Sequence, residues 1–136
     1  MRSLLQKLCA KKLLPIGWTI ITIVLLCLPG SSIPGDGFVF EIPNLDKIVH
    51  VILFGGIVLF WGAHYAFRSE RPQNWQKLVI LLAILSTGLG IVLEYVQFYF
   101  IPLRSFDIYD IVADTSGAFA AMLLVLVLSP KRSINY

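Results

Sequence analysis

Charged side chains are scarce in this sequence. Only 14% of its 136 residues are Asp, Glu, Lys or Arg, whereas an ordinary soluble domain carries about 25%. Apolar residues make up 57% of the chain. This shortage of charge excludes a typical soluble globular protein, and it indicates a small integral membrane protein with a single domain over residues 1–136.

Cysteine is almost absent, and so are the common motifs of metal and nucleophile enzymes. The two cysteines, Cys9 and Cys27, are too few for a disulfide framework, and helical spacing keeps them far apart. The sequence contains no H-x-x-x-H, no H-E-x-x-H and no Ser or Cys within a nucleophile motif. We therefore predict neither a resident metal nor a cofactor.

Four apolar runs predict four membrane-spanning helices, because a helix needs about 20 mostly apolar residues to cross the hydrocarbon. The runs place these helices at about residues 13–30, 46–67, 77–100 and 107–129. The last uncharged run, 115–130, is too short for a comfortable span. Asp114 is therefore expected inside the membrane, with Asp110 at or within its edge. The fold class is all-α, a four-helix transmembrane bundle.

The first apolar run also has the character of a secretory signal, since basic residues precede it and Pro29-Gly30-Ser31-Ser32 follows it. No A-x-A cleavage site follows the run, and the run is slightly long for a signal peptide. We expect a retained helix. Cleavage would leave three helices.

The distribution of Lys and Arg predicts the orientation, because these residues favour the cytoplasmic side of short loops. Nine of the 11 basic residues fall before the first run, between the second and third, or after the fourth. Both termini are therefore predicted to be cytoplasmic, in a bacterial inner membrane that the chain crosses several times. Because topology accounts for the net charge of +3, no nucleic-acid partner is expected. The expected partner is the lipid bilayer.

Polar residues lie at helical spacing near the outer ends of the third and fourth helices. Glu94 and Gln97 share one face of the third helix, and Asp107, Asp110 and Asp114 share one face of the fourth. Small residues continue each stripe toward the cytoplasmic side, which suits close helix packing. The two stripes are expected to face each other around a polar chamber.

The second helix begins with a further polar group. Asp46 and His50 are four residues apart, and Lys47 lies beside them. Asn44 is predicted to cap this helix, and Ser105 to cap the fourth, with an acid in each first turn where the helix dipole favours an anion. Such helix starts would explain those two acids without any function.

Taken together, these residues resemble the VanZ-like family of small bacterial membrane proteins. The segments that carry the resemblance are Asp46-Lys47-x-x-His50, Glu94-x-x-Gln97 and Arg104-Ser105-x-Asp107-x-x-Asp110-x-x-x-Asp114. The resemblance runs from about residue 46 to 121 and implies a four-helix membrane domain. It also implies an association with low-level resistance to teicoplanin, a lipid-bearing glycopeptide. This chain has Asp114 where the family commonly has Asn, which adds a carboxylate.

Three interpretations of the polar residues remain open. In the first, Lys47 and Arg104 neutralise the buried acids in an ion-pair scaffold, which would make the protein a partner-binding subunit. In the second, the surplus of acid binds the polar head of a lipidated amphiphile. The residues of this predicted binding site are Asp46, Lys47, His50, Glu94, Gln97, Arg104, Asp107, Asp110 and Asp114.

The third interpretation is a membrane-embedded enzyme that acts on an envelope lipid. His50 would serve as a general base, with Glu94 or Asp114 orienting it or acting as the acid. In a variant of this interpretation, His50, Glu94, Asp110 and Asp114 would hold a divalent metal. We favour recognition of an amphiphile and leave catalysis undecided. The ligand and the oligomeric state are not specified by the sequence.

Overall fold

The structure, a computed structural model, describes residues 11–29, 44–68 and 70–129. In these ranges it consists of four α-helices and contains no strand: α1 (Leu13–Leu26), α2 (Leu45–Phe67), α3 (Trp75–Phe100) and α4 (Ile108–Leu128). The predicted all-α, four-helix fold is confirmed. Residues 30–43 and both chain ends lie outside the described residues, so the orientation of the termini stays a prediction.

Three of the four helices are long and apolar enough to cross a membrane, namely α2, α3 and α4. The apolar helix α1 is shorter, with 14 residues. At 1.5 Å per residue it is about 21 Å long, which is less than the hydrocarbon thickness of about 30 Å. The helix ends at Leu26, so the prediction that it continues through Pro29 is wrong.

The closest helix packing joins α2 to α4 and depends on glycine. A Cβ atom at Gly117 would overlap the carbonyl oxygen of Val51, and one at Gly55 would lie 3.2 Å from the carbonyl oxygen of Gly117. The backbones of the two helices therefore touch directly at this level. Such contacts between small residues are a common basis for helix association in lipid.

Helix α1 is attached to the other helices by side chains that bond to backbone. The indole of Trp18 covers Gly56, and its Nε1 donates a hydrogen bond to the carbonyl oxygen of Leu53 at 2.9 Å. Gln97 of α3 donates through Nε2 to the carbonyl oxygen of Leu26 at 2.8 Å. This bond satisfies a carbonyl at the end of α1 that the helix itself leaves unpaired.

Polar and apolar side chains are separated along the bundle axis. The end at which α2 and α4 begin and α3 finishes, here called the polar end, carries most of the buried acids. Midway along the bundle is an apolar layer of Val58, Ala83, Ala118 and Ala121. Beyond it, toward the opposite end, Ala66, Trp75, Val79 and Val125 form another apolar group. The buried acids are therefore concentrated at one end.

Candidate functional site

Seven ionisable side chains from three helices and one connecting segment meet at the polar end. We call them the polar cluster: Asp46, Lys47, His50, Glu94, Asp107, Asp110 and Asp114. Four of them, His50, Glu94, Asp110 and Asp114, are no more than 6% exposed. The stripes of α3 and α4 thus face each other as the helical spacing predicts, and the start of α2 completes the group.

Lys47 is the cation at the centre of three carboxylates. Its Nζ lies 2.7 Å from Oδ2 of Asp46, 2.6 Å from Oδ2 of Asp107 and 2.8 Å from Oδ1 of Asp110. The Lys47 ammonium, together with a hydrogen bond from the backbone N–H of Tyr109, holds the pKa of Asp107 below its usual value. One positive charge is thus shared by three negative ones, and this half of the cluster keeps an excess of negative charge.

The same three carboxylates have the spacing of a metal site. One oxygen each from Asp46, Asp107 and Asp110 lies within 4.8 Å of the others. However, the ammonium of Lys47 already bonds to all three carboxylates and supplies the cation. The sequence suggested a different set of metal ligands, namely His50, Glu94, Asp110 and Asp114. Among the described residues, that set does not have this spacing. The geometry therefore gives no support to that predicted ligand set.

His50 lies between two carboxylates of α4. Its Nδ1 is 2.8 Å from Oδ1 of Asp114, and its Nε2 is 3.8 Å from Oδ2 of Asp110. Asp114 in turn packs on Gly90, where a Cβ atom would lie 2.5 Å from Oδ2. The contact between Nδ1 of His50 and Asp114 fixes the orientation of the imidazole ring. Both nitrogens of the ring therefore face groups that can exchange a proton with it.

Glu94 and Asp107 are joined through the start of α4. The backbone N–H of Asp107 donates to Oε1 of Glu94 at 2.6 Å, and Oδ1 of Asp107 accepts from the N–H of Tyr109 at 2.8 Å. Asp107 is thus the N-cap of α4, and the prediction of Ser105 for this role is wrong. Asn44 does precede α2 as predicted, but its backbone is left-handed (φ 58°) and its side chain makes no capping bond.

Two predicted binding residues point elsewhere or lack an acidic partner. Gln97 is used to hold α1, as described above. Arg104 forms no ion pair with any described residue, and its buried Nε has no hydrogen-bond partner there. In the described residues, the ion-pair scaffold therefore involves Lys47 and His50 without Arg104. Gly90 is one of the small residues of the α3 stripe, and Asp114 of α4 packs on it, which is the close helix contact that the stripe predicts.

Comparison with known proteins identifies the group to which this chain is related. The family model described as VanZ/LLP1 matches residues 9–129. The chain belongs to the VanZ/LLP1 family. This confirms the resemblance found in the sequence, and together with three helices able to span a bilayer it describes a multi-pass membrane protein of the VanZ/LLP1 family.

This VanZ/LLP1 chain is similar to a protein of the fission yeast Schizosaccharomyces pombe that is named only as uncharacterized. The two are 31% identical over 112 residues, which cover 82% of this chain and 64% of the yeast protein. The chain thus spans less than two thirds of the length of this relative. No solved structure matches the chain.

Within this VanZ/LLP1 chain, the structure gives the carboxylate of Asp114 a specific partner. Asn at this position, which the resemblance implies for many relatives, would keep an oxygen that accepts a hydrogen bond but would carry no charge. The carboxylate of Asp114 instead forms a pair with His50 that can be charged on both sides or on neither. Compared with an asparagine at this position, Asp114 therefore adds a group that can take up a proton.

Proposed function

We propose that the polar cluster binds the polar head of a lipid-bearing amphiphile, and that the protein contributes in this way to tolerance of a lipoglycopeptide such as teicoplanin or to the handling of an envelope lipid. The observation that carries the proposal is the surplus of acid in the cluster. Five carboxylates meet there, and among the described residues Lys47 is the permanently charged cation, bonded to three of the five. Ionised groups at membrane depth are costly and mark functional sites by default.

The charge of the cluster supports a head that carries an amine. Even with His50 protonated, two cations would face five carboxylates. An ammonium group bonded to the carboxylates would reduce the electrostatic cost of holding these acids together in a medium of low dielectric constant. A neutral or anionic head would gain no such stabilisation. The preferred ligand class is therefore a cationic or zwitterionic amphiphile.

The exposure of the cluster supports entry from the rim. The side chains of Asp46 and Asp107 are 54% and 33% exposed, whereas His50 and Asp114 lie behind them and are buried. Exposed apolar side chains follow these rim residues in the chain, Ile48 on α2 and Ile108 on α4 among them. A head group at the rim would therefore leave its tail beside apolar helix surface, in the lipid.

A second candidate function is acid–base catalysis on the bound amphiphile, which the bond between His50 and Asp114 favours. A carboxylate at 2.8 Å from Nδ1 orients the ring and supports a positive charge on it. The Nε2 nitrogen then lies toward Asp110, at 3.8 Å from its Oδ2. This arrangement would allow His50 to act as a general base for a substrate group that reaches its Nε2.

The proposal is tested by analysing the lipids that remain with the purified protein. The parent, Glu94→Gln and Glu70→Gln are purified in lipid nanodiscs, and the bound amphiphiles are compared by mass spectrometry. Glu94→Gln removes one charge from the cluster but retains an oxygen for the N–H of Asp107. Glu70→Gln makes the same chemical change at an exposed position after α2, outside the polar cluster.

An amine-bearing amphiphile is expected with the parent and with Glu70→Gln, and its amount should fall in Glu94→Gln. Identical lipids in all three samples would refute the binding site. The catalytic candidate predicts a chemically altered amphiphile whose formation stops in His50→Gln while binding persists. Teicoplanin susceptibility of cells that express each variant measures the resistance phenotype directly, and it should follow lipid binding.

A further inference from the structure

Two hydroxyl groups on α3 differ from the other hydroxyls in the described helices. In a membrane helix a Ser or Thr hydroxyl usually donates to the carbonyl four residues earlier. Five side chains of this protein do so: Thr19, Thr22, Thr115, Ser116 and Ser129. Ser86 and Thr87 do not, because their buried oxygens have no hydrogen-bond partner among the described residues.

Ser86 lies in the interior of the bundle, between the polar cluster and the apolar layer. Helical spacing puts it on the same face of α3 as Ala83 and Gly90. Ala83 belongs to the apolar layer, and Gly90 is covered by the carboxyl group of Asp114. Ser86 itself is 3% exposed. Its hydroxyl is therefore located about one helical turn further into the bundle than Asp114.

An unbonded hydroxyl at this depth requires a partner, because a buried polar group without a hydrogen bond is costly and no bulk water reaches the hydrocarbon. The bond to the backbone of α3 would need only rotation of the side chain. Two buried hydroxyls that both forgo this bond indicate partners outside their own helix. A water molecule fits this role, because it can both donate and accept and is small enough for a packed interior.

We propose that Ser86 and Thr87 hold water inside the bundle, and that this water stabilises a proton delivered to Asp114 through His50 from the polar end. The polar cluster then extends inward as a hydrated proton-uptake site. Helical spacing places the apolar layer directly beyond Ser86, so the path ends within the bundle and does not cross it. This role does not depend on the amphiphile proposed above.

The proton transfer follows from the two contacts of the imidazole ring. Once the 3.8 Å separation between Nε2 of His50 and Oδ2 of Asp110 closes to hydrogen-bond distance, a proton on Asp110 passes to Nε2 as the ring releases its Nδ1 proton to Asp114. Asp110 becomes a carboxylate, Asp114 becomes a carboxylic acid, and the ring changes tautomer without a change in charge. The other charged groups of the cluster surround His50, Asp110 and Asp114 and set their electrostatic environment; they are Glu94 on α3, Asp46 and Lys47 on α2, and Asp107 before α4.

The water is tested by solid-state NMR of the labelled protein in deuterated lipid, with transfer of magnetisation from water to carbon. The Cβ signals of Ser86 and Thr87 should appear as early as that of the exposed Asp46. Those of Ala83 and Ala121, in the apolar layer, should appear later. If Ser86 and Thr87 are as late as Ala83, no water is bound there and the proposal is overturned.

The proton on Asp114 is tested by infrared spectroscopy of the carboxylic C=O stretch during acidification. A band that is lost in Asp114→Asn should appear in the parent, and its absence at every pH at which the protein stays folded would overturn the proposal. In the Ser86→Ala/Thr87→Val double variant the band should shift to higher frequency, because the acid loses its water partner. Ser116→Ala is the control, since that hydroxyl bonds to its own helix. An unchanged frequency in the double variant would also overturn the proposal.

Discussion

Replacing Gly117 by alanine should separate α2 from α4 and disturb the polar cluster at the same time. The new Cβ would overlap the carbonyl oxygen of Val51 and lie 2.9 Å from its Cα. Both are backbone atoms, so no rotation of a side chain can relieve the overlap. Ordinary van der Waals contact requires at least 3.4 Å. The two backbones must therefore move apart by about 1 Å, and such overpacking costs typically about 1–3 kcal/mol.

The same displacement reaches the site, because Val51 follows His50 in α2 and Gly117 is one turn beyond Asp114 in α4. The contact of 2.8 Å between His50 and Asp114 would lengthen by about 1 Å and pass beyond hydrogen-bond range. Gly117→Ala should therefore lower the unfolding free energy and also change the ring nitrogen shifts of His50 in NMR spectra.

Two other glycines provide graded controls. A Cβ atom added at Gly88 would have no atom within 4 Å, so Gly88→Ala should be neutral or stabilise α3 by up to about 1 kcal/mol. At Gly62 the Cβ would meet methyl groups of Val125 at 3.1 Å, and these can move. Unfolding in mixed micelles, followed by circular dichroism, should rank Gly117→Ala as the least stable, then Gly62→Ala, then Gly88→Ala. Equal stability of Gly117→Ala and Gly88→Ala would refute the reasoning.

Three further predictions concern single polar contacts. Because Lys47 lowers the pKa of Asp107, the stabilisation from this pair is complete above about pH 4 and is lost as the pH falls through the lowered pKa. Lys47→Met should therefore reduce the acid-dependent part of the melting curve measured in detergent, and an unchanged pH profile would contradict this. Gln97→Leu removes the bond to the carbonyl of Leu26 and should speed proteolysis within α1, whereas equal cleavage rates would show that the bond is unimportant. Arg104→Ala should leave protein abundance unchanged in membrane fractions, since Arg104 makes no ion pair with a described residue, and a clear loss would restore its scaffold role.

The sequence predicted the long helices and the meeting of their polar faces because both follow from the helical repeat. The described α2, α3 and α4 begin and end within two residues of the predicted positions. A period of 3.6 residues places Glu94 and Asp114 on inward faces whatever their individual partners. The expected membrane depth of Asp114 rests in the same way on the length of the apolar runs and stays a prediction.

Individual partners could not be predicted, because they depend on side-chain direction and on the connecting segments. Lys47 had acids available on its own helix and on α4, and it bonds to both. Gln97 is turned toward α1, whose end was placed too far along the chain. The segment before α4 contains Leu103 with φ 64°, a conformation that helical periodicity cannot reveal for a leucine. The capping role therefore fell to Asp107 instead of Ser105.

Asp107 makes three different bonds with three different atoms: Oδ1 accepts from Tyr109, Oδ2 accepts from Lys47, and its backbone N–H donates to Glu94. These bonds fix the distance along the chain between this residue and the first turn of α4. An inserted or deleted residue between positions 107 and 110 would therefore break several bonds at once. The preceding connection at 101–106 has more freedom to vary in length, so natural insertions in related proteins are expected on that side of Asp107.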